Sequence, residues 1–262
     1  MKLLDFCSLL VHHPREAYGR LEGIFDSHCE RFWVPPSQYR TGRPETVWRE
    51  LEQALRVELT PFFEDAGLNG IRDEVIRRMR ELPSNAPLPQ RNNGDFAFAR
   101  LCYALCRATR PAQVLETGVC YGVTTAFVLK ALDENGAGEL HSIDLPPLGR
   151  RAEDFVGFLV PRSLRSRWRL HRGTTKALLP RLLEAIAPVN FFIHDSLHSY
   201  RNMSRELRTI SPSLARPGIV VSDDIDDNPA FDRWAREVRP QYWAALAQET
   251  KQSLLGIAVL ES

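Results

Sequence analysis

Leu115-Glu116-Thr117-Gly118-Val119-Cys120-Tyr121-Gly122 is the stretch whose reading decides the fold. It runs from a short apolar segment (Gln113–Thr117) through two glycines into a helix-length segment that opens at Val123-Thr124-Thr125. A buried strand giving way to a helix through a glycine turn is the ligand-binding corner of an open α/β sheet. Gly118 permits a sharp turn and close backbone approach, Gly122 lets the next helix pack tightly, and Thr124 with the helix start could hold a carboxylate. The same residues would also serve as an ordinary strand–helix turn, so the neighbourhood must decide. The dinucleotide fingerprint G-x-G-x-x-G is absent, because Cys120 stands where its second glycine would be. That counts against an NAD-dependent oxidoreductase, the rival enzyme class for such a sheet.

Working outward, short apolar runs alternate with helix-length segments. The runs are Gln113–Thr117, Glu139–Asp144, Trp168–His171, Val189–His194 and Gly218–Ser222; the helical segments include Val123–Leu132, Lys176–Ala185 and Tyr200–Leu214. The alternation predicts an α/β, doubly wound, mainly parallel sheet with helices on both faces. Tyr242–Gln248 and Ser253–Leu260 read as a C-terminal antiparallel hairpin on one sheet edge, completing seven strands. Upstream, Trp48, Leu51, Leu55 and Leu59, then Ile71, Val75 and Met79, recur at helical spacing, and Pro83–Pro89 reads as a linker. The expected domains are a helical N-terminal cap or oligomerisation segment at 1–90 and a ligand-binding domain at 91–262.

Composition narrows the classes. The chain has 262 residues, 44% apolar and 26% charged, with a formal net charge of +1. That balance gives no argument for nucleic acid or an anionic membrane surface. No apolar run approaches the ~18 residues of a membrane helix. Met1-Lys2-Leu3-Leu4 resembles a secretion signal only faintly, since Asp5 interrupts it and no small-residue cleavage site follows. Five scattered cysteines without a CxxC pair predict reduced thiols in a cytoplasmic protein. The basic segment from Arg150 to Arg181 reads as a solvated face, with attraction of an acidic partner as the functional alternative.

Asp144 ends the second run, Ser142-Ile143-Asp144, where a carboxylate accepts hydrogen bonds from a ribose diol or else caps a turn. Together with Gly118 it points to a nucleoside ligand. His194-Asp195-Ser196-Leu197-His198 follows the fourth run and Ser222-Asp223-Asp224 the fifth. Three carboxylates at one sheet edge repel unless neutralised, and magnesium would resolve that cost. The alternative has these acids capping the following helices. His198, with an ordinary pKa of about 6.5, suits a general base. His194 points to the other side of its strand and reads as buried structure.

These motifs, with Gly173-Thr174-Thr175-Lys176-Ala177-Leu178-Leu179-Pro180, resemble class I S-adenosylmethionine-dependent O-methyltransferases of the catechol, macrocin and macrolide-sugar type. The resemblance covers about residues 110–226. It implies a transferase with S-adenosylmethionine held by Glu116, Gly118, Gly122, Thr124, Asp144, Thr174, Thr175 and Asp195. Gly118 and Thr124 would contact the methionine end, Asp144 the ribose, and Thr174 and Thr175 the adenine. It further implies magnesium on Asp195, Asp223 and Asp224, and a small-molecule hydroxyl acceptor such as a sugar or phenolic natural product. Leu197 departs from the pattern, standing where some sugar methyltransferases carry an aspartate, which leaves His198 as the base. The remaining alternative is a non-catalytic subunit that retains the fold.

Overall fold

The computed structural model describes residues 3–35, 37–88, 94–149, 151–249 and 251–261. The expected 90/91 boundary, the Met1-Lys2 start, Pro89 and Arg150 lie outside them. Strands β1 (Gln113–Thr117), β2 (Glu139–Asp144), β3 (Trp168–Arg172), β4 (Val189–His194), β5 (Leu214–Ser222), β6 (Tyr242–Ala247) and β7 (Leu254–Leu260) form one sheet in the order β3-β2-β1-β4-β5-β7-β6. Strands β1 to β5 are parallel; β7 runs antiparallel to both β5 and β6. The expected hairpin is present, and its second strand rather than its first joins the sheet. Thr41 makes a single parallel bridge to Ala245 on the edge strand β6.

Alternation along the strands sorts the core onto two faces. On one, Val114, Phe191, Ile193, Ile219 and Val221 pack with α6 (Phe96–Thr109) and α7 (Val123–Asn135). On the other, Leu115, Phe192 and Val220 pack with α8 (Thr175–Ile186), α9 (Tyr200–Ile210) and α10 (Ala230–Val238). Val47 and Leu51 of α3 (Pro44–Leu55), with Ile71 and Val75 of α5 (Ala66–Arg80), join the first of these clusters. Part of the 1–90 segment thus shares its core with the sheet. Between α3 and α5 lies the short α4 (Thr60–Phe63).

Helix α9 stops at Ile210 instead of running to Leu214. Pro212 lacks an N–H and fixes φ, so the chain enters a 3₁₀ turn (Ser211–Ser213) and β5 begins early, at Leu214 opposite Val189. The N-terminal helices α1 (Leu3–His12) and α2 (Pro14–Cys29) stand apart from both large clusters. Phe6, Leu9 and Ala17 form a small cluster against Leu148. Ion pairs tie α2 to the sheet side: Glu16 to Arg172 at 2.7 Å, Glu22 to Lys176 at 2.7 Å and Asp26 to Arg201 at 2.9 Å. Much of the basic segment is spent in this way, with Arg169 on Glu139 and Arg151 on Asp154. No helix among the described residues is long and apolar enough to cross a membrane.

Candidate active site

Strand register sets the site. Thr117 is level with Ile143 on β2 and with His194 on β4, and His194 is level with Ser222 on β5. The next residue of each strand therefore stands in one row along the carboxyl edge: Gly118, Asp144, Asp195 and Asp223. The row straddles β1, where the strand order reverses, which is where open α/β sheets bind ligands. Backbone bonds continue the ladder past the strand ends, from Gly118 N to Ile143 O (2.9 Å), Asp195 N to Thr117 O (2.8 Å) and Asp223 N to His194 O (2.8 Å).

A cleft of about 760 Å³ opens above this row. Gly118, Asp144, Thr174, Thr175 and Asp195 line it. Asp144 does two things at once. Its Oδ2 accepts from the backbone N–H groups of Val119 (2.8 Å) and Cys120 (3.1 Å), clamping the glycine turn, and the residue also lines the cleft. Burial pushes its pKa above the ordinary carboxylate value despite those two bonds.

Three residues expected to bind the cofactor stand behind the cleft wall rather than on it. Glu116 is fully buried, accepting from Thr125 Oγ1 (2.9 Å) and Ser142 Oγ (2.7 Å). Burial raises its pKa to about 7. Gly122 is the left-handed residue (φ +90°) before α7, packed against Gly157 and Val160. Thr124 is buried, and its Oγ1 lacks a hydrogen-bond partner among the described residues.

Other residues of the site carried no motif. Helix α2 lies over the cleft through Gly19, Arg20, Gly23 and Ser27. Arg20 donates to Pro146 O at 2.6 Å, fixing that roof to the β2 side. Leu88 closes another edge, exchanging two hydrogen bonds with Tyr121 Oη (2.6 and 2.8 Å). Beneath the row, Glu206 accepts from Thr117 Oγ1 (2.7 Å), Ser196 Oγ (2.9 Å) and Asn202 Nδ2 (2.9 Å), and meets His194 Nδ1 at 2.8 Å. Burial alone would raise the Glu206 pKa; His194 and the hydrogen bonds outweigh it and hold it at about 2. This buried knot fixes the segment that presents Asp195. His194 is therefore buried structure, as its strand alternation predicts.

A second cavity, of about 500 Å³, shares Leu88, Cys120, Asp195 and Ser196 with the first and continues to His198, Asp224, Asp226, Asp227 and Lys251. His198 Nδ1 lies 3.3 Å from Asp224 Oδ2, and its Nε2 lies 3.7 Å from Asp195 Oδ1. Burial, reinforced by neighbouring His194, holds the His198 pKa below the ordinary histidine value. Asp195 is pushed well up by burial and by the Asp223 carboxylate.

Of the expected magnesium ligands, Asp195 and Asp223 come together, with His198 rather than Asp224 as the third donor. Donor atoms of Asp195, His198 and Asp223 lie within 4.8 Å of one another. Asp223 is fully buried: its Oδ1 accepts from Gln248 Nε2 (2.5 Å) and its Oδ2 from Lys251 Nζ (2.9 Å). Asp224 accepts from Ser253 Oγ at 2.7 Å and lies 3.7 Å from Lys251 Nζ. Burial would lower the Lys251 pKa, but Asp223, Asp224 and Asp195 outweigh it and hold it well above the ordinary lysine value. An imidazole among the donors and an ammonium on the central carboxylate suit magnesium poorly, because that ion demands near-octahedral oxygen ligands.

Residues 115–225 match the family model described as a methyltransferase domain. No curated protein matches the chain in sequence. Among solved structures, the O-methyltransferase TomG of Streptomyces achromogenes, involved in tomaymycin synthesis and solved with SAM, aligns at 16% identity and a TM-score of 0.54. That alignment covers 83% of this chain and 96% of TomG. An O-methyltransferase of Bacillus cereus, solved with SAH, aligns at 14% identity and TM-score 0.53 over 82% of this chain and 97% of its own. The SAH-bound methyltransferase PaMTH1 of Podospora anserina aligns at 12% and 0.52, covering 86% and 100%. At such identities these neighbours speak for the fold. That fold carries the switch-point row and its acid-clamped turn, the place where open α/β sheets bind ligands. The match over residues 115–225 gives that part of the chain as a methyltransferase domain.

Proposed function

We propose that this chain transfers a methyl group from S-adenosylmethionine to a hydroxyl of a small molecule held in the second cavity. The observation that carries the reading is Asp144, which clamps the glycine turn with Oδ2 while lining the cleft. That is the arrangement a ribose diol needs. Thr174 and Thr175 line the cleft for the adenine, and Gly118 with Asp195 bounds the end nearest the second cavity. When bound there, S-adenosylmethionine supplies an electrophilic methyl on a sulfonium.

The chain's own residues do the rest. An acceptor bound in the second cavity would lie beside His198, which lines it and whose depressed pKa keeps it neutral and ready to accept a proton near pH 7. His198 takes the hydroxyl proton as the oxygen–methyl bond forms and the sulfur–methyl bond breaks. The products are a methyl ether, S-adenosylhomocysteine and a protonated imidazole that returns its proton to solvent. Helix α2 and Leu88 roof the cleft and exclude competing water. Asp224, Asp226 and Asp227 around the acceptor cavity favour a hydroxyl-rich acceptor such as a sugar over a flat phenol. No step is assigned to magnesium, because Lys251 already stands on Asp223.

The test is calorimetry with S-adenosylhomocysteine and with NADH, followed by mass-spectrometric screening of hydroxylated acceptors. Binding of the former at micromolar concentration and a 14-dalton mass gain, the mass of a CH₂ unit, are expected. Binding of NADH alone would sink the proposal.

A further inference from the structure

The three carboxylates at the row's end already have a cation among them, and it comes from the chain itself. Lys251 stands in the turn between β6 and β7, far in sequence from Asp195, Asp223 and Asp224. That turn brings three donors to the acids: Gln248 Nε2 to Asp223 Oδ1 (2.5 Å), Lys251 Nζ to Asp223 Oδ2 (2.9 Å) and Ser253 Oγ to Asp224 Oδ1 (2.7 Å). Ser253 also donates to Asp226 at 2.7 Å, and Leu254 N donates to the same carboxylate, so the turn is anchored on both sides of Lys251. Its antiparallel pairing carries Ser222 level with Gly256, which fixes how far the turn reaches over the sheet edge.

Two consequences follow from elementary electrostatics. A buried carboxylate such as Asp223 needs a compensating charge, and here it has one in direct contact. A divalent ion on the same carboxylate would face that ammonium's charge at close range, and the repulsion weakens its binding unless the lysine is displaced. Lys251 also lines the acceptor cavity together with His198. An ammonium has three N–H donors, so one can hold Asp223 while others face an acceptor oxygen.

We propose that Lys251 is the resident cation of this site and takes the place of a divalent metal, holding Asp223 and Asp224 beside His198 and steadying the acceptor oxygen as it loses its proton. The proposal rests on the methyl-transfer reading above for its catalytic meaning. Its structural content is independent: the acidic cluster binds no divalent ion while Lys251 is present.

The experiment titrates the purified full-length chain with MnCl2, followed by electron paramagnetic resonance, and with MgCl2, followed by calorimetry. Wild type, Lys251→Arg and Lys251→Ala are compared. Wild type and Lys251→Arg should show no site filling below millimolar metal. Lys251→Ala should gain a single site at least tenfold tighter, and either metal should restore part of the melting temperature the substitution removes. One manganese bound by wild type at micromolar concentration would overturn the proposal, and needs no variant to fold. Unchanged metal affinity in a folded Lys251→Ala would overturn it equally. Failure of the methyl-transfer reading is read separately, as loss of S-adenosylhomocysteine binding, which the metal titrations do not involve.

Discussion

Gly118→Ala is the sharpest test of the switch-point row. Gly118 has φ +86°, in the left-handed region that costs a residue with a Cβ ~1–2 kcal/mol. A Cβ built there would stand 2.5 Å from the carbonyl carbon of Asp195, nearer still to its oxygen, and 2.9 Å from Ser196 Cα. Carbon contacts need about 3.5 Å, so the ends of β1 and β4 would have to part by about 1 Å. Asp195 N is bonded to Thr117 O, and Glu206 knots the same strands from below, so the backbone cannot yield freely. Overpacking of this kind costs about 1–3 kcal/mol, giving roughly 2–5 kcal/mol in all. Two controls separate the contributions. Gly136 has φ +67° with nothing within 4 Å of its Cβ, so its alanine variant should lose only the backbone share. Gly70, in α5 with open space around it, should gain ~0.5–1 kcal/mol as alanine. Urea unfolding of the three variants, with S-adenosylhomocysteine calorimetry on Gly118→Ala, makes the measurement. A Gly118→Ala protein within about 0.5 kcal/mol of wild type that still binds the ligand would refute the close approach of β4 to the glycine turn.

Other outcomes follow from the same geometry. Asp144→Asn keeps an oxygen for the Val119 and Cys120 amides but loses the charge, so calorimetry should show S-adenosylhomocysteine affinity weakened by about 1.5–3 kcal/mol, with unfolding little changed. An equal fall in stability and affinity would mean that Asp144 only clamps the turn. Glu116, raised to about 7 by burial, lends stability that is complete below its unfolded value of 4.5 and lost as pH rises through 7. Glu116→Gln should therefore gain on wild type by roughly 3 kcal/mol between pH 4.5 and 8, at about 1.4 kcal/mol per unit, and a pH-independent gap in urea unfolding would contradict the burial argument. His198→Ala should slow methyl transfer by about 10²–10⁴-fold while calorimetry shows cofactor affinity unchanged; full turnover would send the search for a base elsewhere.

Strand β1, its glycine turn and Asp144 were legible in the sequence because each rests on a local rule: a short apolar run, a residue free of Cβ, an acid at a strand end. The row itself was legible for a less obvious reason. Once strands are parallel and in register, residues at equivalent distances past each strand end must be neighbours, so Gly118, Asp144, Asp195 and Asp223 could be grouped before any coordinate was known. What escaped depends on partners that no local pattern specifies. Glu116 reads like a pocket residue by position, yet Ser142 and Thr125 draw it under the turn. Helix α2 reaches the cleft through ion pairs spanning more than 150 residues, and surface charges carry no address in the sequence. Lys251 escaped for the same reason, and its case reaches further. Three acids at a sheet edge require a cation, and a sequence says only that the charge must be balanced. Which cation balances it is decided by the reach of a hairpin turn: Gly256 level with Ser222 leaves the turn long enough to lay Lys251 on Asp223. The inference from clustered acids to magnesium is thus sound only where no basic side chain from another edge strand can arrive first.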